Sequence, residues 1–211
     1  MSTRLKSLTL AGPAGELEAI LHEREGLTPD IAALICHPHP LHGGTLHNKV
    51  VHRIDAVLHE EGAAVLRFNF RGAGASEGEH DEGRGELEDA RAALGWLSGH
   101  YPKARRWVAG FSFGSWIAAR LAASDPTIAQ LILVSPPVAR SGFETMRECA
   151  VPKLVIQGEA DDVCPPADLQ REFPTWREPK RLVLVPEASH FYDRQLGALG
   201  EALRQSLFSR S

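Results

Sequence analysis

Gly110-Phe111-Ser112-Phe113-Gly114 has the spacing G-x-S-x-G. It follows the short apolar run Arg106–Ala109 and precedes the small, apolar stretch Phe113–Ala123. A serine between a strand and a helix, with glycines on both sides, can be lifted on a tight turn above a sheet edge. At a helix start the Phe113 N–H has no intrahelical acceptor, and the helix dipole adds partial positive charge where an oxyanion would form. A serine hydroxyl attacks well only when a base takes its proton. His190, in Pro186-Glu187-Ala188-Ser189-His190-Phe191, can be that base. An acid must then fix the imidazole tautomer and stabilise the imidazolium. Gly158-Glu159-Ala160-Asp161-Asp162 supplies it, with Asp161 favoured by its spacing from the preceding apolar run and Asp162 as the alternative. In a chain with ten histidines, it is the conjunction of three residue types, in order and after three apolar runs, that points to acyl transfer.

A tetrahedral intermediate also needs a second N–H donor. His37-Pro38-His39-Pro40-Leu41-His42-Gly43-Gly44 follows the run Ile31–Cys36. Proline has no N–H, so Pro38 and Pro40 cannot donate. His37 ends a strand and spends its N–H there, which leaves the backbone of His39 to pair with Phe113. The prolines stiffen this loop and hold the donor ready. His37, His39, His42 and His47 also raise the alternative of a transition-metal site. An alternating His-Pro pattern does not provide helical ligand spacing, so no metal or other cofactor is expected.

These residues need a scaffold that gathers strand ends. Buried-strand runs occur at Ile31–Cys36, Ala64–Phe70, Arg106–Ala109, Gln130–Val134, Pro152–Gln157 and Arg181–Val185. Helical spacing lies between or after them at Asn48–Glu61, Glu86–Leu97, Phe113–Ala123 and Leu196–Phe208. This alternation predicts an α/β fold with a mainly parallel sheet. Leu5–Leu10 and Glu16–His22, on either side of Gly12-Pro13-Ala14-Gly15, read as an antiparallel hairpin. Loops at the carboxyl ends of such strands form the site, and they contain almost every residue to which chemistry is assigned above. With no repeat, linker or low-complexity segment, residues 1–211 are expected to form one domain.

The 211 residues carry a net charge of −4 without a dense basic run, so nucleic acid is not an expected partner. No stretch approaches the length of a membrane span, and the N-terminus lacks the apolar core of a secretory signal. Three widely spaced cysteines, Cys36, Cys149 and Cys164, fit neither a disulfide framework nor a zinc pattern. A cytoplasmic protein acting on a small-molecule substrate is expected.

Five longer segments carry a family likeness: HPHPLHGGTLHNKVV, VLRFNFRGAGASEGEHDEGRGELEDARAAL, GFSFGS, QGEADDVCPP and EASHFY. Together they span about residues 32–192. On them the chain resembles small α/β-hydrolases related to dienelactone hydrolases and acyl esterases. The resemblance implies a sheet of about eight strands whose second strand is antiparallel, with helices on both faces. It also implies a Ser–Asp–His triad, which falls here on Ser112, Asp161 and His190. Dienelactone hydrolases proper have a cysteine as nucleophile, so that specific activity is not expected. Cys164 stands where similar sequences often have valine, and Arg71–Ser76 is read as a turn shaping the pocket wall.

Only Ser135–Val151 separates two successive strands where related enzymes insert a cap, enough for one short helix at Gly142–Cys149. An open site is expected, favouring small or short-chain acyl groups. His37, Phe111, Phe113, Trp116, Phe143 and Phe191 are candidate pocket residues, with packing in the core as the alternative, for Trp116 under the nucleophile helix. The expected reaction is hydrolysis of a carboxylic ester or thioester through an acyl-enzyme. The alternatives are an amidase, peptidase or acyltransferase on the same residues, or a non-catalytic interaction protein on a hydrolase scaffold.

Overall fold

A computed structural model describes residues 3–140 and 142–209. Eight strands form one sheet: β1 (Thr3–Gly12), β2 (Gly15–Arg24), β3 (Ile31–Cys36), β4 (Ala64–Phe68), β5 (Arg105–Phe111), β6 (Ile128–Val134), β7 (Lys153–Gly158) and β8 (Lys180–Val185). Their spatial order is β1-β2-β4-β3-β5-β6-β7-β8. The second strand runs antiparallel to both neighbours, and every pairing from β4 onward is parallel. The hairpin and each expected strand are present; β4 ends two residues before the expected Phe70.

Strand side chains alternate between two apolar layers. Ala32, Leu34 and Cys36 of β3 join Val108 and Leu133 beneath helices α2 (Arg84–His100) and α3 (Phe113–Ser124). Ile31, Ala33 and Ile35 join Trp107, Ala109 and Ile132 beneath α1 (Lys49–Glu60) and α5 (Leu196–Leu207). Burial on both faces explains why these strands read as continuous apolar runs. Asn48 caps α1 by accepting from the Val50 and Val51 N–H groups. At the start of α2 the buried Glu86 carboxylate accepts from the N–H groups of Asp81 and Gly83, fixing the preceding loop.

Two short elements differ from expectation. Gly142–Cys149 contains a 3₁₀ turn, Glu144–Arg147, rather than a full helix. A helix not foreseen in the sequence, α4 (Pro166–Glu172), starts on the second of two prolines, which suits a helix's first turn. No helix among the described residues is long and apolar enough to cross a membrane.

Candidate active site

Ser112 is the single residue between β5 and α3, at φ 52°, ψ −122°. Positive φ is costly for a side chain other than glycine and persists only where surrounding structure enforces it. Here the Ser112 N–H donates to Val134 O at 2.9 Å, and its carbonyl accepts from Ser115 Oγ at 2.6 Å. Close backbone approach explains the flanking glycines. A Cβ on Gly110 would collide with the Gly114 carbonyl, and one on Gly114 with the carbonyls of Cys36 and His37.

His190 sits in the turn after β8, with Nε2 3.1 Å from Ser112 Oγ. Its Nδ1 lies 2.9 and 3.1 Å from Asp161 Oδ2 and Oδ1. The imidazole packs on Phe111, ring centroids 5.0 Å apart, with Phe191 edge-on at the same distance. Asp161 is nearly inaccessible and is held by further donors: Val163 N (3.0 Å), Cys164 N (2.7 Å) and Gln157 Nε2 (2.9 Å). Burial alone would raise this carboxyl. Hydrogen bonds from His190 and the Cys164 N–H outweigh burial and hold it below the usual carboxylate range. Asp162 is exposed, and the carboxylate that meets His190 Nδ1 is that of Asp161. A serine hydroxyl facing an imidazole whose far nitrogen meets a carboxylate is competent for proton relay during nucleophilic attack.

Two supports were missed in the sequence. Tyr192 is fully buried, and its hydroxyl donates to Ile156 O at 3.3 Å and meets Ser135 Oγ at 3.4 Å, tying the histidine turn to β6 and β7. Gln157, the penultimate residue of β7, bridges Asp161 and Cys164 O. Each is an ordinary polar residue whose role appears only when the strand ends meet.

His39 precedes a 3₁₀ turn, Pro40–His42, and its carbonyl accepts from His42 N and Gly44 N. Neither the His39 N–H nor the Phe113 N–H has an acceptor among the described residues. The two rings lie 4.8 Å apart, and both residues line one cavity with Ser112. That cavity has a volume of about 510 Å³. Trp116, Pro137, Val163 and Cys164 line one part of it, and Leu41, His42, His80, Glu82 and Arg140 complete the lining. Burial, reinforced by the Asp161 charge, pushes the Cys164 thiol up to about 12.

Four expected pocket residues do not line this cavity. His37 is fully buried; its Nδ1 donates to Pro38 O at 2.6 Å and its Nε2 accepts from Phe70 N at 3.0 Å. Burial lowers its imidazole to about 4. Phe111 lies in the core under His190, because the last β5 residue faces the α1–α5 layer with Trp107 and Ala109. Phe143 is stacked on Trp176 in the opposite layer. Phe191 flanks the outer edge of His190 and is 43% exposed. Arg71–Ser76 forms no wall either: Arg71 pairs with buried Asp89, and Ser76 bonds to Glu18 N and Asn69 O. The other two candidates, Phe113 and Trp116, do line the cavity. Among the described residues, the His/Cys/Asp/Glu group whose ligand atoms converge, within 4.8 Å, is Asp161, Cys164 and His190; the histidines of the 37–47 loop form no such group.

A family model described as "Serine aminopeptidase, S33" matches residues 39–143. An α/β serine hydrolase homologue from Coxiella burnetii is 40% identical, over 98% of this chain and 99% of that one, with a TM-score of 0.92. A lidless α/β serine hydrolase from Xanthomonas campestris is 36% identical over 100% and 99%, with a TM-score of 0.88. An uncharacterized protein of Rickettsia prowazekii is 39% identical over 163 residues, covering 75% of this chain and 68% of that one. With the cap-free β6–β7 connection and this extent of likeness, the chain belongs to the lidless α/β serine hydrolases.

Proposed function

We propose that this protein hydrolyses small or short-chain carboxylic esters or thioesters, with Ser112 as nucleophile, His190 as general base and acid, and Asp161 as the group that orients and stabilises His190. The observation that carries the reading is the relay Ser112 Oγ to His190 Nε2 (3.1 Å) and His190 Nδ1 to Asp161 Oδ2 (2.9 Å), with Ser112 lining a cavity.

His190 Nε2 takes the Ser112 proton as Oγ bonds to the acyl carbon. The carbonyl oxygen becomes an oxyanion, stabilised by the N–H groups of His39 and Phe113. As the intermediate collapses, the bond to the leaving alcohol or thiol breaks and His190 returns the proton to it. Water then attacks the acyl-serine by the same route, releasing the acid and restoring Ser112. Every proton moves between substrate, water, Ser112 and His190. The three free, buried cysteines support a reducing cytoplasm as the compartment.

The family model's aminopeptidase description favours a second reading, cleavage of an amide bond by the same residues. One experiment tests both. Wild type and Ser112→Ala are compared on p-nitrophenyl esters, acyl thioesters and aminoacyl p-nitroanilides. Ester or thioester turnover that falls about 10⁴-fold in the variant supports the proposal. Serine-dependent turnover of the anilides alone supports the amide reading.

A further inference from the structure

We infer that Trp116 sets the length of acyl chain that the site accepts; this rests on Ser112 being the acylated residue. Trp116 is four residues after Ser112 on α3, and its N–H reaches Ser112 O at 3.4 Å. Residues at i and i+4 share a helix face, and the later side chain leans toward the earlier residue. The indole therefore stands beside the nucleophile, and it is only partly buried.

Its neighbours clamp it. A Cβ on Gly83, at the start of α2, would collide with the benzo edge, and one on Gly142 would collide with Nε1. Both glycines have positive φ, +87° and +111°, so each loop presents bare backbone to the ring. The Arg120 guanidinium lies 5.0 Å from the ring centroid and donates to Gly83 O at 2.7 Å, binding that loop to the helix. Phe113 meets the indole edge-on at 5.6 Å. With both edges against backbone, the ring has no room to swing aside, and the surface left uncovered lines the cavity. The indole packs against the core on its buried side and presents its uncovered surface to the cavity that Ser112 also lines, where it acts as a rigid wall. Removing the indole would join the cavity to the space between Gly83 and Gly142.

The test is kcat/KM for p-nitrophenyl acetate, butanoate, octanoate and decanoate with wild type, Trp116→Phe, Trp116→Leu and Trp116→Ala. Each methylene newly buried raises the rate about fourfold, so three give roughly sixtyfold. The octanoate-to-acetate ratio is expected to rise in the order Phe, Leu, Ala, approaching that factor. If the Ala variant does not fold, the Phe and Leu variants still give the trend. The same ratio is read from labelling rates with short- and long-alkyl fluorophosphonates, which require an activated serine but no deacylation. A ratio unchanged within about twofold in variants with cooperative melting curves overturns the inference while leaving the serine-hydrolase reading intact. Wild type inert to both esters and phosphonates defeats that reading, and the inference with it.

Discussion

Replacing Asp161 by asparagine tests whether its charge and hydrogen-bond polarity serve the chemistry. Four groups act as donors toward the carboxylate: His190 Nδ1, Val163 N, Cys164 N and Gln157 Nε2. The two backbone N–H groups meet Oδ1 and cannot reverse, so the amide oxygen introduced by Asp161→Asn takes that position. Its NH₂ then occupies the Oδ2 position, facing His190 Nδ1 and Gln157. Gln157 can turn its Oε1, which has no partner among the described residues, toward the new NH₂ only by giving up its bond to Cys164 O. His190 Nδ1 then meets a donor at its nearer contact, 2.9 Å, and keeps an acceptor only at the 3.1 Å Oδ1 position, which favours moving its proton to Nε2, the nitrogen that must accept from Ser112. Stability should therefore fall by about 1–3 kcal/mol, the scale of one or two disturbed buried hydrogen bonds. Ester kcat/KM should fall about 10⁴-fold, because the wrong tautomer is present. Urea titration and p-nitrophenyl acetate turnover give the two numbers, and ¹⁵N shifts of His190 report the tautomer. A folded variant retaining a tenth or more of wild-type activity would refute this reasoning.

His37 should make stability acid-sensitive. Its folded imidazole, lowered chiefly by burial to about 4, is harder to protonate than in the unfolded chain, near 6.5. The unfolded state therefore binds the proton first, and stability present above about pH 6.5 is lost as pH falls toward 4, by up to about 3 kcal/mol. His52 and His59, also lowered chiefly by burial, act in the same direction. Urea midpoints measured between pH 7.5 and 4.5 should slope accordingly, with a shallower slope in His37→Gln; equal slopes would contradict the assignment. Gly114→Ala should drive a methyl group against the Cys36 and His37 carbonyls, costing about 1–3 kcal/mol. It should also slow phosphonate labelling, because the Ser112 turn must shift; an unchanged urea midpoint would show that the turn has room.

The sheet was legible because its inner strands are buried on both faces and therefore read as apolar runs between helical spacings. The relay was legible as a conjunction: Ser112, Asp161 and His190 each follow such a run, and parallel strands bring those ends to one edge. Pocket walls were not legible in the same way. A phenylalanine near a strand end reads alike whether it faces ligand or core, and the layer it enters decides. Alternation through Trp107 and Ala109 sends Phe111 inward, and stacking on Trp176 removes Phe143. Trp116 was legible only as a candidate wall with packing as its alternative, because its slot depends on glycines 33 residues before it and 26 after it in the chain. His80 and Glu82 reach the cavity because Glu86 fixes the loop before α2, a tertiary arrangement without a local periodic signal.

The central claim, that Ser112 is an activated nucleophile, is tested most directly by intact-mass spectrometry after reaction with a fluorophosphonate at pH 7.5, followed by peptide mapping. One adduct per chain, located on Ser112 and absent from Ser112→Ala and His190→Ala, is the expected result. No adduct on folded wild-type protein, or an adduct on another residue, would contradict the account.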